Sequence, residues 1–300
     1  MFLVTKKPQP LRGKVSFWGL APALSVSFAV VFVGGFFVLY QSFGGFLPDD
    51  IKNEAGNIWV NLFNDKTFIN TIGFSLKVAT LSTLFSAFLG LLLALLLWSQ
   101  FQKYLITSLL YVIPLIAPHI LAGFFIQAFF SQSGILSSFL FKIGLIDNLQ
   151  DFPVLVFDQK GIGVILSYVY KESAFITLLI IASLRKLSPD LITTSNMLGG
   201  STWRKFRTII YPHISSTLYI GMLIAFIYSF GSFDIPFIVG SSSMPMISIK
   251  AYSLFFEGSL AQRPYAAAHL SVIWIISLCI LAIFILVRKN ENNRETRNIT

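Results

Sequence analysis

Five stretches of this chain, residues 15–48, 78–102, 104–141, 208–233 and 264–287, contain no Asp, Glu, Lys or Arg. A hydrocarbon core of roughly 30 Å is crossed by about 20 apolar residues in a helix, and each stretch supplies that length. A sixth, 161–184, is apolar apart from Lys171 and Glu172. Charged residues make up 12% of the 300, where soluble domains carry about 25%. A soluble helical core would give each helix a polar face, and Leu81 to Leu97 has none. A membrane β-barrel would need short alternating segments, and these are absent. The sequence therefore predicts an all-α membrane protein with six transmembrane helices, at 18–43, 70–98, 105–130, 161–184, 214–239 and 266–288. The basic N-terminus imitates a signal peptide, but Trp18 to Tyr40 is uncharged throughout. That exceeds the roughly 7–15 residues of a cleavable apolar region, so an uncleaved span is expected.

Six spans put both termini on one side. Lys6, Lys7, Arg12, Lys14, Lys103, Arg185, Lys186, Arg204, Lys205, Arg207, Arg288, Lys289, Arg294 and Arg297 then share that side, and only six basic residues face the other. Basic residues gather on the cytoplasmic face, which orients the chain N-in and C-in. The organisation expected is a cytoplasmic segment 1–17, one membrane domain 18–288 and a cytoplasmic tail 289–300. The net charge of +9 then reflects topology and contact with anionic membrane lipid. It gives no reason to expect nucleic acid, since no soluble module carries it.

Catalytic and metal chemistry find little support. Cys279 is the single cysteine, and His119, His213 and His269 fall in different segments without ligand spacing. No catalytic residue, metal site or cofactor bound by this chain is expected.

The longest internal connection, 185–213, is not a solvated linker. Ser188-Pro189-Asp190 reads as a helix start, with a capping Ser, Pro in the first turn and an acid at the positive helix end. Gly199-Gly200 should end that helix near Leu198, and Ser201 can cap a second one over Thr202–Tyr211, stopped by Pro212. Trp203, Phe206, Ile209 and Ile210 recur there at helical spacing as one apolar face, with Arg204, Lys205 and Arg207 at other angles. Such a unit either lies on lipid headgroups or docks a cytoplasmic partner.

At this loop the chain resembles the type I ABC importer permeases. Their loop pattern is Glu-Ala-Ala, three residues, Gly, nine residues, then Ile-x-Leu-Pro. Here Gly199, Ile209 and Pro212 match, and Leu198 to Phe206 is similar to the family's Leu-Gly-Ala-Ser-x-Trp-x-x-Phe run. Thr193, Thr194 and Ser195 stand in place of Glu-Ala-Ala, and Tyr211 in place of Leu. Ile113-Pro114, Ala117-Pro118 and Ser229 to Pro236 resemble the polyamine, ferric-iron and phosphonate members. The resemblance implies a multi-pass protein of the bacterial cytoplasmic (inner) membrane, forming half of a solute pathway. It also implies a second permease subunit, identical or paralogous, an extracytoplasmic solute-binding protein, and a separate ATP-binding cassette ATPase. ATP and Mg would bind at that ATPase, and the loop 188–212, through Thr193, Thr194, Ser195, Gly199, Gly200, Trp203, Phe206, Ile209 and Pro212, would couple to it. A polyamine, phosphonate or chelated metal is the solute class the resemblance implies. Consistent with separate subunits, the chain has no phosphate-cradling GxxxxGK[ST] loop.

Ionisable residues inside spans are costly and face a pathway or a partner helix. Lys171 and Glu172 in span 4, and Asp234 ahead of Pro236 in span 5, are the candidate pathway or intersubunit groups. Lys77 should snorkel to the outer surface. Two other functions would leave their own marks on the sequence. An ion-coupled secondary transporter would show duplicated halves, and a membrane enzyme would cluster catalytic groups in its spans. Neither pattern is visible.

Overall fold

The structure, a computed structural model, describes residues 17–49, 57–100 and 112–297, all helices and connections without a strand. The N-terminal segment 1–16 and the start of the third expected span lie outside the described residues. Among the described residues, six helical segments are long and apolar enough to cross a membrane: Gly19–Ser42, Lys66–Trp98, His119–Lys142, Ile162–Leu184, Thr202–Gly231 and Leu260–Lys289. The protein is a multi-pass membrane protein.

Helix α1 (Phe17–Ser42) packs along α12 (Arg263–Arg297) at the periphery, where its apolar side chains are exposed. A Cβ on Gly35 would lie 2.2 Å from the Trp274 indole, so glycine permits the close crossing. A short external helix, α2 (Ile58–Asn64), ties the two ends: Trp59 Nε1 donates to Ser42 Oγ (3.2 Å) and Asn61 to the Tyr265 hydroxyl (3.1 Å). Helix α3 (Lys66–Gln100) starts ahead of the expected residue 70 because the Asp65 carboxylate accepts from the Thr67 amide (2.8 Å).

The core forms around α6 (Ile162–Leu184), where 61% of the apolar window is buried, against none in α1. Two clusters divide it. Ile180, Ile181, Leu184, Ile214 and Leu218 pack with Ala87, Ala94 and Leu97 toward the cytoplasm, and Val78, Ala122, Ile126, Val164 and Tyr168 pack in the outer half. Small residues let α3 approach α6 closely, as membrane helix pairs require in the absence of a hydrophobic drive. The Thr177 hydroxyl lies 3.1 Å from the Gly90 carbonyl of α3 and 2.7 Å from that of Ser173.

Three expectations are corrected. The third span is not continuous over 105–130: a helical turn at 112–116 ends at Ala117-Pro118, and α4 (His119–Phe130) starts afresh, followed by α5 (Ile135–Lys142). Pro118 has no N–H for the Pro114 carbonyl and pushes Ala117 out of helical geometry. The fifth span is not continuous over 214–239 either. Helix α9 (Tyr211–Gly231) stops at extended Ser232, and α10 (Asp234–Val239) follows as a separate piece. Finally, Pro212 does not stop the second loop helix. Helix α8 (Thr202–Lys205) runs through a π-helical turn, Phe206–Ile210, directly into α9, with Tyr211 N–H reaching the Phe206 carbonyl. The wider turn absorbs the missing amide of Pro212, which sits in the first turn of α9 where its lost donor matters least. The loop's second helix is thus the cytoplasmic end of span 5.

Candidate functional site: a cytoplasmic loop and two broken spans

The first loop helix is α7 (Pro189–Met197), capped as the sequence predicts: Ser188 Oγ accepts from the Asp190 amide (3.3 Å). Its end is a Schellman motif. Gly199 N–H donates to the Asn196 carbonyl (3.0 Å) and Gly200 N–H to that of Ser195 (2.9 Å), with Gly199 at φ +70°. Ser201 Oγ then caps α8 through the Arg204 amide (3.3 Å), and Lys205 Nζ reaches back to the Asn196 side chain (2.9 Å). The helix, diglycine and helix form one rigid corner rather than a flexible linker.

The loop residues separate into two faces. Trp203 stacks on Phe206 (5.6 Å between centroids), and both line an apolar groove with Ile192, Ile210 and the α3 residues Phe88, Leu91, Leu92, Leu95 and Trp98. That face turns toward span 2. On α7, Thr193 and Thr194 are exposed, as are Leu191, Met197 and Leu198, the last two 82% and 80% exposed. These three apolar side chains were missed by the sequence reading, which followed the periodic stripe on the second helix. The signal was there in Met197-Leu198, two apolar residues set directly before the helix-ending glycines.

Two of the three intramembrane charges sit at the two breaks, Lys171 at the first and Asp234 at the second. The start of α4 packs on α10, and both pack on α6. There the His119 ring lies against Tyr228 (4.3 Å between centroids). Tyr168 and Ser232 share a hydrogen bond between hydroxyls (3.1 Å), and Ser248 Oγ donates to the Ser232 carbonyl (2.7 Å), which fixes the break in span 5. Asp234 is exposed; His119, Tyr228 and Ser232 are half-buried. Together they form a polar wall on an otherwise apolar subunit.

Lys171 and Glu172 are each only 4% exposed, both within this subunit, and do not pair with one another. Lys171 Nζ donates to the carbonyls of Pro114 (2.6 Å), Leu115 (3.0 Å) and Ala117 at the span 3 break. Glu172 faces the Ser86 hydroxyl of α3, yet neither carboxyl oxygen makes a well-formed hydrogen bond. Lys77 snorkels as expected, its ammonium 3.3 Å from the Lys160 carbonyl in the outer loop. His213 bonds the Ser183 carbonyl (2.9 Å) and His269 that of Tyr265 (2.7 Å), so both serve packing. Among the described residues no group of His, Cys, Asp and Glu could hold a metal ion.

Residues 86–292 match the family model described as the binding-protein-dependent transport system inner membrane component. The chain belongs to this family. Its members are transport subunits, and the matched region takes in the loop corner, both breaks and α6. The permease is 23% identical to a probable sulfate transport system permease protein of Marchantia polymorpha over 266 residues, covering 88% of this chain and 85% of that one. It is also 23% identical to the sulfoquinovosyl glycerol transport system permease protein of Agrobacterium fabrum over 237 residues, 77% of this chain and 75% of that one. In fold it matches a bacterial alginate ABC transporter crystallised with an alginate pentasaccharide-bound periplasmic protein, with a TM-score of 0.69 at 19% identity over 89% of this chain and 91% of that one. These relatives do not support the narrower polyamine, ferric-iron and phosphonate group.

Proposed function

We propose that this permease forms one half of the solute pathway of an ABC importer in the bacterial cytoplasmic membrane, and that its loop 188–212 seats on a separate ATPase. The observation that carries this reading is the α7 corner. Leu191, Met197 and Leu198 stand exposed on a helix locked by caps at both ends. Exposed apolar anchors on a rigid short helix suit a groove on a partner, the helix-in-groove mode. Closure of two ATPases around nucleotide would move such a corner as a lever, since its Schellman end and the continuous helix into α9 leave no slack between loop and span. The breaks in spans 3 and 5, packed on α6, would receive that motion.

The test is co-purification of the permease with its ATPase from cells expressing both. Met197→Asp with Leu198→Asp should abolish recovery of the ATPase while the permease still inserts. Undiminished recovery would remove the loop from the docking surface.

For the solute, the wall favours a hydroxyl-rich molecule such as a sugar over an oxyanion. Half-buried Tyr228 and His119 offer aromatic faces, Tyr228 and Ser232 offer hydroxyls, and exposed Asp234 offers a carboxylate that accepts from hydroxyls and repels sulfate. The relatives' names include both sulfate and sugar conjugates. Stimulation of ATPase activity by the solute-loaded binding protein, compared for sugar and sulfate, decides between them.

A further inference from the structure

We propose that Lys171 is a positioning residue: its ammonium takes the place of the backbone donors lost at the Pro118 break, and so holds span 3 bent with His119 against Tyr228. This goes beyond the transport assignment and does not depend on it.

Pro118 has no N–H to offer Pro114, and the Leu121 amide goes to the Pro118 carbonyl (3.0 Å) rather than to that of Ala117. At membrane depth there is no water to satisfy the abandoned oxygens, and each unpaired backbone group is expensive in lipid. Three donors are required at one point, and an ammonium has three. Lys171 Nζ bonds Pro114, Leu115 and Ala117 from a helix more than fifty residues away in sequence.

The charge also finds its compensation there. The C-terminal end of a helix carries partial negative charge, so the ammonium needs no carboxylate. The adjacent Glu172 lies toward Ser86 on α3 and is not its partner. Beyond the break, α4 begins at His119, whose ring lies tilted against Tyr228 of α9. The bend that Lys171 holds therefore sets where one residue of the polar wall meets the next.

The mechanism makes a prediction that an ordinary buried lysine would not. If Lys171 serves oxygens orphaned by Pro118, removing the proline should remove the need for the lysine. In the full chain reconstituted in membranes, Lys171→Met should lower the melting temperature by about 5 °C or more and speed amide hydrogen exchange across 112–121. Adding Pro118→Ala restores an N–H at 118 and lets the helix run on, so the double variant should regain most of that stability. The bend itself should stay lost. Cysteines placed at 119 and 228, with Cys279→Ser, should be joined by a short bifunctional thiol reagent in the parent chain and not in the double variant. Wild-type melting and exchange for Lys171→Met would overturn the proposal. So would a loss of stability that Pro118→Ala fails to return, which would place the role of Lys171 elsewhere. Full cross-linking in the double variant would leave Lys171 a purely structural part and refute the positioning role. None of these readouts requires an ATPase or a solute, so their failure is separate from failure of the transport reading.

Discussion

At Gly199 the backbone sits at φ +70° with open space where a side chain would go, whereas at Gly200 a Cβ would lie 2.5 Å from Ser195 Oγ and 2.8 Å from its carbonyl. The first position demands glycine through conformation, the second through contact. Gly199→Val forces a β-branched residue into the left-handed region, costing roughly 1–2 kcal/mol and unlocking the Schellman end. The expected outcome is a permease that inserts normally but loses ATPase recovery on co-purification, with hydrolysis uncoupled from uptake. Glu172 is a different case. Both of its oxygens are buried without a hydrogen bond, on the side of Ser86, where a full charge is costly. Glu172→Gln keeps the shape without the charge and should match wild type in melting temperature and assembly. Glu172→Ala opens a void between α6 and α3, and should cost about 1–3 kcal/mol, read as a lower melting temperature and reduced recovery of assembled complex. At this scale the sequence showed which residues were unusual but not where they point. Lys171 and Glu172 lie side by side in the chain and diverge by a third of a helical turn, one to span 3 and one to span 2. Only packing decides that.

Elements were legible where hydropathy controls them and hidden where backbone satisfaction does. The five charge-free windows and the apolar stretch around Lys171 and Glu172 locate the spans, because the bilayer selects length and apolarity. Window 104–141 runs without interruption across Ala117-Pro118, so hydropathy reports one helix where the structure has two, whereas window 208–233 closes at Phe233, just ahead of α10. Pro114 and Pro118 hinted at the first break. The groups that make each break tolerable, Lys171 for one and Tyr168 with Ser248 for the other, come from distant segments. Pro212 misled in the opposite direction, since a π-helical turn before it carries the helix through. The α3–α6 crossing offers a test at this scale. A Cβ on Gly90 would approach the Ser173 carbonyl and Ile176 to 2.9 Å, and backbone cannot step aside as a side-chain tip can. Gly90→Val should spread the two helices, break the Thr177 contact and cost about 1–3 kcal/mol. A matching fall in melting temperature, with faster hydrogen exchange in α3 and α6 together, would show it.

Taken whole, the subunit leaves its two helix breaks partly open. Irregular backbone at membrane depth is tolerated only when buried in protein or lining a water-filled cavity, yet Ser232 and His119 are half-exposed and Asp234 is exposed at the two breaks. In the importer arrangement proposed above, a second permease subunit would complete the enclosure of such a cavity. The orientation of that enclosure rests on basic residues gathered at one face, and the structure adds a way to check it. Met197, at the tip of the α7 corner, and Asp147, in the connection after α5, are both exposed and belong to opposite faces of the N-in, C-in arrangement. With Cys279→Ser removing the single native thiol, Met197→Cys should react with a membrane-impermeant maleimide only in inside-out vesicles, and Asp147→Cys only in right-side-out ones. Labelling at 197 should also fall when the ATPase is co-expressed, because the partner would cover the exposed Met197-Leu198 pair. Labelling of 197 from the outside would reverse the topology and remove the corner from any cytoplasmic partner. Unchanged labelling in the presence of the ATPase would keep the topology and refute the docking face, so one pair of cysteines tests the two ideas separately.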